Sequence, residues 1–377
     1  MLKSVQRVVI ISFAFLLSNC ITQFIPQVNE DKELLVVEGL ITDRPDTNTI
    51  KLSRSRPLGA RAVAKPVKGC LVTISDDLGN TFNLKETVDG TYVTDPSIFR
   101  GVAGRLYTLH INTNGAYNSL NYESYPVEMK PVPPIDSLFY EKETIKENPD
   151  GTPSAEGCQI YLSTHDPANQ NKFYKWDFSE TWEFSLPYFV ANKVCWISNN
   201  SNTIMVKSTI DLAEDRIDRF PLNFISNETD RLNEKYSILV NQYSLNEDEY
   251  FYWEKLQSVT QKVGTLYDIT PASIPSNMHC IENPDETVLG YFSVSAVSSK
   301  RIFIKASFAG FIDLYTNCNA DTIFNDEPIP YPEFTYWVVI VHGVPPPPYK
   351  VLTFIHGCAD CTVRGKNTPP DFWTEAK

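Results

Sequence analysis

Short runs of apolar, β-branched and aromatic residues recur about every ten residues from Leu34 onward, each cut off by a turn signal, and this spacing constrains the fold more than anything else in the chain. Leu34 to Thr42 reads as a strand, Asp43 to Asn48 as a turn carrying Pro45, and Thr49 to Ser53 as the returning strand. Leu71 to Ser75 and Thr81 to Glu86 follow, divided by a turn at Asp77 to Asn80. Asp89 to Tyr92 turns into another strand. Ala103 to Thr113 then alternates Leu106, Thr108 and His110 against Tyr107, Leu109 and Ile111. Short strands at this period close as a sandwich or a barrel.

The order of residues from Gly69 to Ile111 resembles transthyretin-like and carboxypeptidase-regulatory-like sandwiches of immunoglobulin type. Domains of that kind commonly mediate contacts, and a fold does not assign a function. The first domain is therefore expected over residues 34–130. Pro126, Pro131, Pro133 and Pro134 make the next stretch an extended, semi-rigid connection, with the boundary near 130–135.

Residues 136–377 read as a larger β-rich domain. Cys158 to Pro167, Lys172 to Phe189, Lys193 to Ser198 and Lys235 to Leu245 all carry strand-like alternation. One helix is expected near 247–263. Asn246 and Glu249 have capping-box spacing, Tyr250, Trp253, Leu256, Val259 and Val263 recur at helical period, and Gly264 is placed to end it. That aromatic stripe is expected to pack on a sheet. Val288 to Ser307 reads as a hairpin, Tyr336 to Val341 as a last buried strand, and the final thirty residues as irregular. The fold class is thus mainly β, a sandwich followed by a β-rich domain with few helices.

The first nineteen residues have the form of a signal peptide. Lys3 and Arg7 are basic. Val8 to Leu17 is an uncharged apolar run of ten residues, too short to span a bilayer, which takes about 20. It ends Leu17-Ser18-Asn19-Cys20, which resembles the bacterial lipobox, although Asn19 stands where Gly or Ala is usual. In that motif the thiol is acylated and the chain is cut before it, so Cys20 is the expected lipidation site and residues 20–33 a tether. Ile21 follows where an Asp would retain a protein in the inner membrane, so the outer membrane is expected. Net charge is −13, which argues against nucleic acid and against anionic membrane surfaces as partners.

Eight cysteines become seven once Cys20 is acylated, so an exported chain forms some disulfides and keeps at least one thiol. Cys195, Cys318, Cys358 and Cys361 are the candidates for bonding, with no pairing fixed by spacing. His356, Cys358 and Cys361 also have the look of three zinc ligands. A second Cys pair is missing from the sequence, so oxidation is the stronger reading and neither metal nor cofactor is expected. No nucleophile elbow, phosphate loop or His-Glu-x-x-His stands in the sequence, and no catalytic residue is assigned. Glu180 and Glu183 fall on opposite faces of one strand. Trp176, Trp182 and Trp196 offer a sugar platform only if exposed.

The stretches LLVVEGLITDRP, IKLSRSRPL, FYKWDFSETWEF, VCWI, YSILVNQYSLNEDEYFYWEKL, GTLYDITPASIPSN, NPDETVLGYFSVSAVSSKRIFI and CADCTVRGKNTPPDFW resemble, in that order, a Bacteroidota outer-membrane lipoprotein family known only as a domain of unknown function. The resemblance covers about residues 20–374. Its members are typically encoded beside SusC-like TonB-dependent transporters. It implies a non-enzymatic accessory subunit of such a transporter, in substrate capture or uptake. The alternatives are a surface carbohydrate-binding or hydrolytic lipoprotein, or an adhesion or envelope-assembly factor.

Overall fold

A computed structural model describes residues 33–55, 64–114, 119–261, 274–311, 315, 317–324, 326–328, 337–339 and 349–373. The chain is mainly β, as the strand period implies, with a single long helix among the described residues.

Two sheets form the first sandwich. One runs Lys85–Val88, Thr91–Val93, Thr49–Arg54, Leu35–Thr42, Leu289–Ser295 in spatial order. The other runs Thr81–Asn83, Leu71–Asp76, Leu106–Asn112, Asn121–Ser124, Met278–Cys280. Alternation fixes the faces: Leu35, Val37 and Ile41 are buried while Glu38 is exposed. The inner faces meet in one core that also holds Ile50, Ile74, Leu109, Tyr122 and Phe292.

The last strand of each sheet comes from far along the chain, which corrects the expected division. Residues 34–130 do not complete this sandwich, and 136–377 is not one domain. Met278–Cys280 pairs antiparallel with Asn121–Ser124, and Leu289–Ser295 lies parallel to Leu35–Thr42. Nor is Val288 to Ser307 a hairpin. Its first half sits in the first sandwich, and Val297–Ile304 pairs antiparallel with Tyr236–Ser244 in the second. The run Ser293-Val294-Ser295-Ala296-Val297-Ser298 holds no Gly, Pro, Asn or Asp with which to turn, so the strand continues from sheet to sheet through buried Ala296. Gly290 permits the parallel approach. Its φ is +86° and a Cβ there would stand 2.0 Å from the Val37 carbonyl oxygen.

The second sandwich packs the sheet Ile135–Glu147, Pro153–His165, Arg216–Ile225 against the sheet Val194–Asn200, Phe173–Ser185, Tyr236–Ser244, Val297–Ile304. Ile160 and Leu162 from one sheet meet Trp176, Ile238 and Val240 from the other, all fully buried. The proline-rich connection is bolted to this body by side chains at alternate positions. Gln242 Nε2 donates to the Pro133 carbonyl at 2.9 Å, Ser244 Oγ to Lys130 at 2.7 Å, and Asn246 Nδ2 to Glu128 at 2.8 Å.

The helix is Glu247–Gln261; Val263 and Gly264 lie outside the described residues. The expected capping box is replaced by other bonds. Asn246 reaches Glu128, and Glu249 turns inward to accept from Trp253 Nε1 at 3.2 Å. A third cluster, Phe173, Tyr243, Leu245 and Tyr250, with Leu40, Trp253 and Val297 against it, joins helix and both sandwiches.

Toward the C-terminus, Asp321–Phe324, Tyr349–Thr353 and Trp337–Val339 form a small sheet. Trp337–Val339 is therefore followed by another strand and is not the last; Tyr336, Ile340 and Val341 lie outside the described residues. The final thirty residues, expected to be irregular, also hold the one-turn helix His356–Ala359 and the 3-10 turn Cys361–Val363.

Candidate functional site

Cys20 lies outside the described residues. The four candidate cysteines are brought together in two pairs. Cys195 is bonded to Cys361 and Cys318 to Cys358, so the two thiols of the CxxC go to different partners. His356 stacks on Trp337, with ring centroids 4.4 Å apart. Cys70, Cys158 and Cys280 are reduced among the described residues, and burial pushes the Cys158 thiol up to about 12.

Trp176 and Trp182 are core residues, 0% and 5% exposed, and offer no platform to a sugar. Glu180 and Glu183 do face opposite ways. Glu180 is buried, paired with Arg231 at 3.1 Å, and accepts from the Tyr236 hydroxyl at 2.8 Å. Glu183 accepts from Trp373 Nε1 at 3.0 Å. Each carboxylate is engaged by structure, not by a shared cleft.

One polar row escaped the sequence reading. Thr73, His110, Glu123 and His279 stand in register across four neighbouring strands. The hydroxyl of Ser75 lies 2.7 Å from His110 Nε2, and His110 Nδ1 lies 3.8 Å from Glu123. The order is that of a hydrolase triad, but the setting is not. Ser75 is on a strand paired on both sides, so the local backbone amides are engaged in the ladder and not aimed at an oxyanion.

The concave site lies where the helix crosses the first sandwich. Tyr252 of the helix and Tyr291 of the crossing strand pack with ring centroids 4.8 Å apart, and a hollow opens on either side of the pair. The smaller, about 470 Å³, is lined by Val36, Leu40, Lys51, Trp253, Leu256 and Lys175. The larger, about 590 Å³, is lined by Tyr125, Glu128, Asp248, Phe251 and Lys255. Both fall in the range of ligand pockets, roughly 300–1,000 Å³. The helical stripe explains them. Tyr250 reaches the junction cluster, whereas Trp253 and Leu256 are only half-covered and become walls. At the rim Tyr125 is 61% and Phe251 52% exposed, large aromatic surface left to solvent.

Two charged groups give the site its electrostatics. The Lys175 ammonium sits 3.8 Å from the Trp253 ring centroid and 5.5 Å from that of Tyr243. Burial holds its pKa below the usual lysine range, against the pull of Glu249 and Asp177. Glu249 is 1% exposed, and its second oxygen makes no hydrogen bond to the described residues. Burial pushes its carboxyl up to about 7, opposed by Ser293, Lys175 and Trp253.

The family model described as Domain of unknown function (DUF4249) matches residues 21–301. The chain belongs to this family. The match takes in every groove residue named above and ends within the strand Val297–Ile304, short of the span to 374 that the resemblance implied. Cys318, Cys358 and Cys361 stand beyond it. No curated protein matches the chain.

Proposed function

We propose that this protein is a Bacteroidota lipoprotein of the outer membrane, held by acylated Cys20, that serves a SusC-like TonB-dependent transporter as a non-enzymatic accessory subunit in substrate capture or uptake. The observation that carries the reading is the ten-residue apolar run ending Leu17-Ser18-Asn19-Cys20. Two further features agree with it. The family match begins at Ile21, the residue after that cysteine. Two disulfides fit an oxidising, extracytoplasmic compartment. The paired hollows beside Tyr252 and Tyr291 give such a subunit a place to hold cargo.

The test is co-purification from gently solubilised outer membranes. A tagged chain is expected to bring down a TonB-dependent barrel in stoichiometric amount, and recovery as a lone species overturns the subunit role. Palmitate labelling that survives Cys20→Ala overturns the anchor.

A further inference from the structure

We propose that the two hollows form one site for a short zwitterionic peptide, with its C-terminal carboxylate on Lys175 and its amino terminus toward Glu128 and Asp248. This names the substrate class for the capture role above and rests on that reading.

The argument starts from Lys175. A lysine held against an indole at a concave, partly buried position has three N–H donors to satisfy. Among the described residues its ammonium contacts are the Trp253 and Tyr243 rings, with no hydrogen bond or ion pair. Of the two acids that act on it through charge, Asp177 has both oxygens taken and Glu249 has one taken and one without a partner. Asp177 accepts from Asn241 at 2.7 Å and Tyr243 at 2.8 Å, and Glu249 accepts from Trp253. A ligand carboxylate entering the hollow completes the ammonium with a charge-assisted bond. Lys51 on the same wall adds to the positive charge, and Glu38 subtracts from it.

Across the tyrosine pair the sign reverses. Glu128 and Asp248 outnumber Lys255 there. A ligand spanning both hollows therefore meets a cation at one end and anions at the other. Between them lie the Tyr252 and Tyr291 rings, with Trp253 and Phe251 flanking, surfaces suited to apolar side chains. A neutral sugar leaves both charged ends unanswered, and a fatty acid leaves the acidic end unanswered. A peptide of a few residues answers both.

The test is calorimetric titration of the mature lipidated chain in detergent with Ala-Phe-Leu-Ala, its C-terminal amide and its N-acetyl form. The free peptide is expected to saturate, with the amide weaker by about ten-fold or more and the acetylated form also weaker. Lys175→Met is expected to bring the acid-to-amide ratio to about one, and Lys175→Arg to preserve it. Near-ultraviolet circular dichroism identifies any variant that has not folded. Absence of saturable binding by the unmodified chain overturns the proposal, as does equal affinity for acid and amide. Transporter co-purification run on the same samples separates the two readings. Intact co-purification without peptide binding removes the ligand class and leaves the subunit role. Peptide binding without co-purification does the reverse.

Discussion

The two sandwiches are held together by different means. The first relies on topology and packing: its core is largely aliphatic and aromatic with Asn48, Arg54 and Asn277 buried beside it, its described cysteines Cys70 and Cys280 are reduced, and its closing strand arrives from residue 289. The second relies on staples. Cys195–Cys361 ties the strand Val194–Asn200 to the C-terminal segment, whose Arg364 then pairs at 2.8 Å with buried Asp230, itself the acceptor for Trp182 Nε1. Polar groups inside a core demand complete satisfaction, whereas an apolar core demands only shape.

Four measurements sharpen or break this contrast. Phe292→Ala empties the apolar core at a fully buried site on the crossing strand and is expected to cost about 4 kcal/mol in urea denaturation. If the second sandwich then unfolds at its original midpoint, the two bodies are independent; a common shift shows that the crossing strand makes them one unit. The pair Cys195→Ser and Cys361→Ser is expected to cost about 3 kcal/mol, the usual size for loss of a native disulfide. A loss of the same size in the first sandwich's transition erases the distinction drawn here.

Glu249→Gln probes the joint between the bodies. The folded-state pKa of about 7 lies above the ordinary glutamate value of 4.5, so this group's stability is fully present below about pH 4.5 and is lost as pH rises through 7. The glutamine variant is expected to lack that decline and to exceed the parent by about 3 kcal/mol above pH 7. Parallel pH–stability curves for the two chains refute it. Lys68→Ala breaks an exposed pair with Asp89 at 3.3 Å and is expected to change stability by no more than about 0.5 kcal/mol.

Much of the strand pattern was legible because alternation is local. Leu35–Thr42 and Phe173–Ser185 lie within the stretches read from residue type alone. Their partners were harder. Nothing near Leu289 announces a parallel neighbour some 250 residues earlier, since parallel pairing leaves no turn behind it. The four bonded cysteines were legible as a set from an exported address, but their pairing depends on which loops the fold brings together. The groove was missed for a related reason. Helical period identifies the stripe Tyr250, Trp253, Leu256, but not that the sheet covers only its first residue. The capping signal misled because Asn246 and Glu249 had stronger partners in tertiary structure.

The crossing strand also sets an order of events. As the chain is made from its N-terminus, Leu35–Thr42 emerges with an unpaired edge and waits for roughly 250 residues before Leu289–Ser295 covers it. A nascent chain cut short anywhere in that interval carries an open sheet edge that invites pairing with other copies. Completion of the first sandwich is thereby timed by the arrival of Leu289–Ser295.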